Sequence, residues 1–373
     1  MRLGTSSGLA GGFVAAALLA LLGCGGGAPL HGRGVDDRSV DRAKAGSSVV
    51  LAAASIDAVS PELVFGRPRL PLEVREGQAL FSDDDRFLAV GDAQGLVRIF
   101  DAASGKPLAA HRAHDAEVFL VACAPGGGFV TGDATGELAL WTPGANGFLD
   151  ATHQLLASRH SAAITSVSFS ADGSVMVSAD SNGDALSWDM KAHRVVKQLD
   201  ESEDSGDGVV VGRGASSSYV VSADGKHALG CRGSSCFVVS LADAKRGRRV
   251  AVRGSIIGAR AEGAGFSIDV RRERGGQIAR EQISVQGKRT GRSPLGAPGT
   301  HPLGPTAALR AEAKRFAIVA HGGAVRATFD LPPSDRLVVV ASSSGRRALV
   351  VADGVALVDV AGGTARVERA EPG

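Results

Sequence analysis

Phe169-Ser170-Ala171-Asp172-Gly173 begins a unit that passes through Ala179-Asp180-Ser181-Asn182-Gly183 and ends at Ser187-Trp188-Asp189. The same order occurs twice upstream. Phe81-Ser82-Asp83-Asp84-Asp85 leads through Gly91-Asp92-Ala93-Gln94-Gly95 to Ile99-Phe100-Asp101. Cys123-Ala124-Pro125-Gly126 leads through Gly132-Asp133-Ala134-Thr135-Gly136 to Leu140-Trp141-Thr142. Asp92, Asp133 and Asp180 each stand eight residues before the aromatic (Phe100, Trp141, Trp188), and Gly95, Gly136 and Gly183 stand five before it. The aromatics are 41 and 47 residues apart. A recurring period of this size marks a repeated supersecondary unit. Each unit reads as short antiparallel strands. A polar turn follows the first strand, then come a β-rich run (87–90, 175–178) and an Asp-x-x-Gly hairpin whose glycine supplies positive φ. A strand ending in the aromatic completes the pattern, and a weaker fourth run, Arg194-Val195-Val196-Lys197-Gln198-Leu199, follows the third unit.

These units resemble the WD-repeat β-propeller family. Ser187-Trp188-Asp189 and Ile99-Phe100-Asp101 match its Trp-Asp ending, and His114 and His160 match the histidine that precedes the next unit. The resemblance implies an all-β chain folded as a single β-propeller of four-stranded antiparallel blades. It also implies that His114 and His160 join a structural hydrogen-bond network with Asp, Ser/Thr and Trp. Gln94, Thr135 and Asn182 replace the family's tight-turn aspartate, so that network is expected to be incomplete. The likeness is good over 78–200 and fades beyond.

The rhythm persists where the likeness fades. Val221-Ser222-Ala223-Asp224-Gly225 repeats the first turn, with a strand expected over 236–241; 315–330 and 344–359 repeat strand, turn and strand. The worst fit is 253–305, where 265–270 and 277–285 read as strands and 290–305 as a Gly/Pro loop. The 325 residues from 49 to 373, at about 45 per blade, make seven blades; six and eight also satisfy the arithmetic. A closing strand supplied by one terminus is expected at 49–56 or 63–72.

The N-terminus reads as an address. Arg2 is followed by an apolar stretch, strongest over 13–22, and Leu21-Leu22-Gly23-Cys24 resembles the lipobox of bacterial lipoproteins. That resemblance implies a signal peptide over 1–23, acylation of Cys24, and export to the periplasmic or surface side of a bacterial membrane. The apolar run is shorter than the roughly 20 residues of a spanning helix. Residues 24–48 read as a flexible tether and 49–373 as the propeller.

With 373 residues, 44% hydrophobic and a net charge of +2, the chain carries a large core and no global field to draw it onto nucleic acid. Apart from Cys24, the cysteines are Cys123, Cys231 and Cys236. Cys123 aligns with Phe81 and Phe169 and is expected in the core. Cys231 and Cys236 fall on one expected hairpin, where a disulfide and two buried thiols are both open. No histidine pair has metal-ligand spacing, no serine sits in a nucleophile elbow, and the glycine-rich runs lie between strands, so no catalytic residue, metal or cofactor is expected. The acidic run 200–208 lacks the order of a calcium loop. Residues 243–292 hold 13 Lys/Arg against five Asp/Glu, a charge suited to an anionic partner, to membrane headgroups or to solvated loops. The expected function is non-catalytic binding of another protein by a monomeric propeller held at the membrane through its lipid alone. The alternatives are a cell-envelope assembly role and a hydrolase or isomerase working in the central channel.

Overall fold

The structure is a computed structural model that describes residues 74–369, except 76, 158–159, 200–217, 233, 273–276, 297–299, 304–306, 313–314, 321–322 and 333–336. The expected signal peptide, Cys24, the expected tether and the expected closing strand lie outside the described residues, as does the acidic run.

Twenty-eight strands form seven four-stranded antiparallel sheets, the blades of a β-propeller. Blade one contains β1 (Ala79–Phe81), β2 (Phe87–Gly91), β3 (Leu96–Asp101) and β4 (Pro107–Arg112). Blade two contains β5 (Val118–Ala124), β6 (Gly128–Asp133), β7 (Leu138–Gly144) and β8 (Gly147–Leu155). Blade three contains β9 (Ile164–Phe169), β10 (Val175–Asp180), β11 (Ala185–Asp189) and β12 (Arg194–Leu199). Blade four contains β13 (Ser218–Val221), β14 (His227–Arg232), β15 (Ser235–Ser240) and β16 (Arg246–Ala251). Blade five contains β17 (Ser255–Glu262), β18 (Gly265–Arg271), β19 (Ile278–Ile283) and β20 (Arg289–Gly296). Blade six contains β21 (Thr300–Pro302), β22 (Ala307–Glu312), β23 (Arg315–Ala320) and β24 (Val325–Asp330). Blade seven contains β25 (Val338–Ala341), β26 (Arg347–Val351), β27 (Gly354–Asp359) and β28 (Thr364–Arg369). Among the described residues there is no helix, so none long and apolar enough to cross a membrane.

The core lies between blades. In blades one and seven the two middle strands are buried on both faces, so β2 reads Phe-Leu-Ala-Val-Gly without a polar alternate. Leu88 and Phe100 face the seventh blade, while Ala89, Val97 and Ile99 face the second. Apolar clusters of this kind join blades one to two, two to three, three to four, four to five, six to seven, and seven to one. The cluster between blades seven and one closes the ring, packing Val338, Val340 and Leu349 against Phe81, Leu88 and Phe100. Each blade is built from four consecutive strands, so blades one and seven are complete without a strand from the other terminus. Among the described residues no apolar cluster joins blades five and six.

A second turn signature explains the rhythm of the later repeats. Ser82, Ser170 and Ser222 each donate a hydroxyl hydrogen bond to the aspartate two residues on, at 2.6–2.7 Å, and accept the amide five residues on at 3.0 Å. Ser342 takes the same place in blade seven. The serine replaces a missing backbone partner at the bend, a local bond that only Ser, Thr, Asn and Asp make cheaply.

Two expectations are corrected. The Gly/Pro segment after 289 is not a loop: 289–296 and 300–302 are strands. β20 is the outermost strand of its blade, where Pro294 costs no ladder bond because one edge has no neighbour. Cys123 is only partly buried, although Phe81 and Phe169 at its position are in the core; its short side chain fills less of the gap than a phenyl ring.

Candidate functional site

The Asp-x-x-Gly turns gather at one end of the ring, together with the loops that enter the next blade. Asp92 Oδ1 accepts the amides of Gln94 and Leu96 at 2.9 Å. Asp133 Oδ1 accepts those of Thr135 and Glu137, and Asp180 Oδ1 those of Asn182 and Asp184, at 2.8–3.0 Å. Such side-chain acceptors hold a short turn against water and fix the direction of its exposed residues. The glycine that follows is required twice over. Gly95 and Gly136 have φ of +81° and +92°, and a Cβ there would stand 2.0 and 2.4 Å from the carbonyl oxygens of His114 and His160. The close approach lets Gly95 O accept the amides of Ala113 and His114, and Gly136 O that of His160. Each turn is thereby tied to the loop of the following blade.

Below these loops lie two buried polar networks. Trp141 Nε1 donates to Thr131 Oγ1 at 2.9 Å, and His114 Nε2 lies 2.8 Å from the same oxygen. Trp188 Nε1 donates to Ser178 Oγ at 2.8 Å, with His160 Nε2 at 2.7 Å. Because the tryptophan donates into the hydroxyl, the hydroxyl proton is free to donate to Nε2. The imidazole's own proton then sits on Nδ1. That atom faces Asp133 and Glu137 at 3.8 and 3.5 Å in blade two, and Asp180 at 3.6 Å in blade three. The tryptophan–hydroxyl–histidine part of the network is present, and the carboxylates that face the histidines are Asp133 and Asp180, two residues before the replaced tight-turn residue. Its histidine–carboxylate link is electrostatic and too long for a hydrogen bond. Burial lowers the pKa of both His114 and His160; the nearby carboxylates oppose the shift and do not overcome it.

One atom each of His114, Asp133 and Glu137 lies within 4.8 Å of the others, a spacing that a small divalent cation can bridge. Sequence spacing gave no sign of it, since the histidine comes from a loop and the acids from the next hairpin. Nε2 is committed to Thr131, and the first service of the group is to hold the loop.

Blade one lacks the network. Val90 and Phe100 occupy the places of Thr131 and Trp141, and Arg98 Nε holds Asp92 Oδ2 at 2.6 Å. At this end of the first two inner strands, Arg75 ion-pairs with Glu117 at 3.0 Å and lies over the Phe119 ring at 5.2 Å. Gln78 Nε2 donates to Val118 O and to Glu117. The ladder of β5 is displaced between Val118 and Leu120, which turns Phe119 out of the core and leaves it partly exposed. An aromatic braced by a cation, with exposed Gln94, Arg112, Asp115, Thr135 and Asn182 on the neighbouring turns and loops, gives a rigid mixed surface of the kind proteins bind.

Cys231 and Cys236 face each other across the β14–β15 hairpin and form a disulfide. Both are buried in the cluster between blades four and five. His111 and His153 lie beside Trp141, at ring distances of 5.9 and 4.6 Å.

A family model described as "WD domain, G-beta repeat" matches residues 153–189, from the end of blade two through β11. Among solved structures, the chain is similar to the C-terminal WD40 domain of Sif2, with 16% identity, 78% of this chain and 85% of that one covered, and a TM-score of 0.49. It is also similar to a chain in the crystal structure of the mitotic checkpoint complex, with 14% identity, 68% and 74% covered, and a TM-score of 0.45. No curated protein matches the sequence.

Proposed function

We propose that this chain is an exported, lipid-anchored propeller that binds another protein at the turn-bearing end of its ring. The observation that carries the binding reading is the surface around Phe119. It is built on short turns whose backbone is fixed by Asp92, Asp133 and Asp180, so a partner would pay little to order it. The match to a WD-domain model agrees with this use of the fold. Export is supported by Leu21-Leu22-Gly23-Cys24 and by the Cys231–Cys236 disulfide, since such bonds persist mainly outside reducing compartments. Acylation of Cys24 would add about 0.8 kcal/mol per buried CH₂ and hold the ring at the membrane durably.

Crosslinking in intact cells followed by pull-down tests the binding end. Phe119→Ala with Arg112→Glu is expected to lose a partner that wild-type protein and a control, Lys106→Glu on the β3–β4 turn of blade one, both recover. Recovery of the same proteins by all three would reject this surface. Metabolic labelling with palmitate tests the anchor. Label on wild type and none on Cys24→Ser is expected, and an unlabelled wild type would defeat it.

A further inference from the structure

We propose that the arginine-rich outer edge of blades four and five is a membrane-apposing surface that rests on anionic phospholipid headgroups. Residues 243–292 carry a net +8 while the whole chain carries +2, so the other 323 residues sum to −6. The fold gathers much of that charge on one stretch of rim. β16 and β20 are the outermost strands of adjacent blades. Arg246, Arg249, Arg253, Lys288, Arg289 and Arg292 on and beside them are exposed.

Three of the five acids of this region are already engaged. Asp243 pairs with Lys245, Asp269 is buried between Arg260 and Arg280, and Glu281 is buried under Arg289. Among the described residues, Arg249 and Arg253 face no carboxylate. Outer strands often carry a charge to prevent edge-to-edge pairing. One suffices in β4, which has only Arg112, and β8 has no Lys or Arg at all. β12 and β28 carry two each, as β20 does, whereas β16 with three arginines is the most basic outer strand, and the fold sets β16 and β20 on adjacent blades, five arginines on one stretch of rim. Each basic side chain close to an anionic bilayer contributes about 1 kcal/mol, and the negative remainder of the ring is repelled, so the asymmetry orients the molecule as well as attracting it. The proposal rests on the membrane location argued above, and it leaves the turn-bearing end free for a partner.

The test is sedimentation of the full chain with phosphatidylcholine vesicles, with and without phosphatidylglycerol, at low and at near-physiological salt. Wild type is expected to favour the phosphatidylglycerol vesicles, less so as salt rises. Arg249→Glu/Arg253→Glu/Arg292→Glu is expected to lose about 100-fold of that preference, while its circular dichroism and its binding to phosphatidylcholine stay unchanged. Lys106→Glu/Arg194→Glu/Arg326→Glu, the same change of charge on exposed residues elsewhere, is expected to keep the preference. Equal loss in both triple variants, or no preference in wild type, overturns the proposal. So does capture of poly-glutamate without any preference for phosphatidylglycerol, which would point to an acidic protein. Failure of the Cys24 reading alone would lower binding to both kinds of vesicle and leave the difference between them intact.

Discussion

Blades two and three tie their second strand to their third with neutral groups, whereas blade five does so with charges. In blade two, Thr131 on β6 meets Trp141 on β7 and His114 from the incoming loop. In blade five, Asp269 on β18 is held by Arg280 on β19 at 2.8 Å and by Arg260 on β17. The neutral network lies beneath the loops at one end of the ring, and the side chains of its histidine and aspartate are 0% and 2% exposed. The charged clasp sits within its own blade, and its guanidiniums keep about a quarter of their exposure. Burial and the like charge of Arg280 both lower the pKa of Arg260, against the pull of Asp269. The first device positions a surface. The second only keeps three strands in register, at a place where no apolar cluster reaches the next blade among the described residues.

The largest effect should come from breaking the clasp. Asp269→Ala leaves two cations facing each other without their acid and is expected to cost about 3 kcal/mol, the low end for a buried pair because the arginines can turn to water. Urea unfolding midpoints measure it. Adding Arg260→Met and Arg280→Met should restore most of the loss, as apolar replacement of a whole buried ion group usually does. A single variant as stable as wild type would mean that the clasp is ornamental.

Thr131→Val makes the matching test in blade two. It removes the acceptor of Trp141 Nε1 and the partner of His114 Nε2, both buried, for an expected cost of about 2 kcal/mol. Blade one already lives with Val90 and Phe100 at these places. Trp141→Phe added to Thr131→Val copies that pair and should recover about 1 kcal/mol, because the orphaned indole donor disappears. If the double variant is worse than the single, the ring of Trp141 matters through its packing on Phe129, 5.0 Å away, more than through its hydrogen bond.

The two regions were unequally legible in the sequence. Asp133, Gly136 and Trp141 stand at fixed offsets because an Asx-held turn and a two-strand hairpin allow no other spacing, so blades one to three could be aligned by eye. Asp269 has no such signature. Its partners sit nine residues before and eleven after, on neighbouring strands whose register only the fold reveals. The role of Asp133 and Asp180 toward the histidines was hidden for a similar reason, since the acid sits two positions before the residue that the family resemblance points to. Blade four kept its Ser222 and Asp224 and could be traced, whereas β20, with Gly291, Pro294 and Gly296, looked like a loop because an edge strand relaxes the usual propensity rules.

Acid should separate the blades most finely. Burial lowers the pKa of His111, His114, His153 and His160, and mutual repulsion adds to the effect at His153. His301 in blade six is held at about 4 by burial and by Arg271. A histidine whose folded pKa lies below its unfolded value near 6.5 takes its proton first in the unfolded chain. The stability of the ring is therefore complete above about pH 6.5 and falls as the pH drops through that value toward the folded ones. The carboxylates act later. Asp172, held at about 2 by hydrogen bonds from Ser170 and Ser174, matters only below the usual aspartate range. His111 and His153 lie beside Trp141 and His114 shares the Thr131 hydroxyl with it, whereas Trp188 shares the Ser178 hydroxyl with His160 alone, and the chain has no other tryptophan. In a Trp188→Phe variant the emission of Trp141 is expected to change as the pH falls below about 6.5, reversibly and before global unfolding. In Trp141→Phe the change at Trp188 should be smaller, because a single imidazole is charged there. Hydrogen-exchange protection in blade five, taken relative to the intrinsic exchange rate at each pH, should stay flat over the same fall in pH, because its clasp contains no histidine. Equal responses at the two tryptophans would show that acid loosens the ring as a whole and not the loops that these histidines hold.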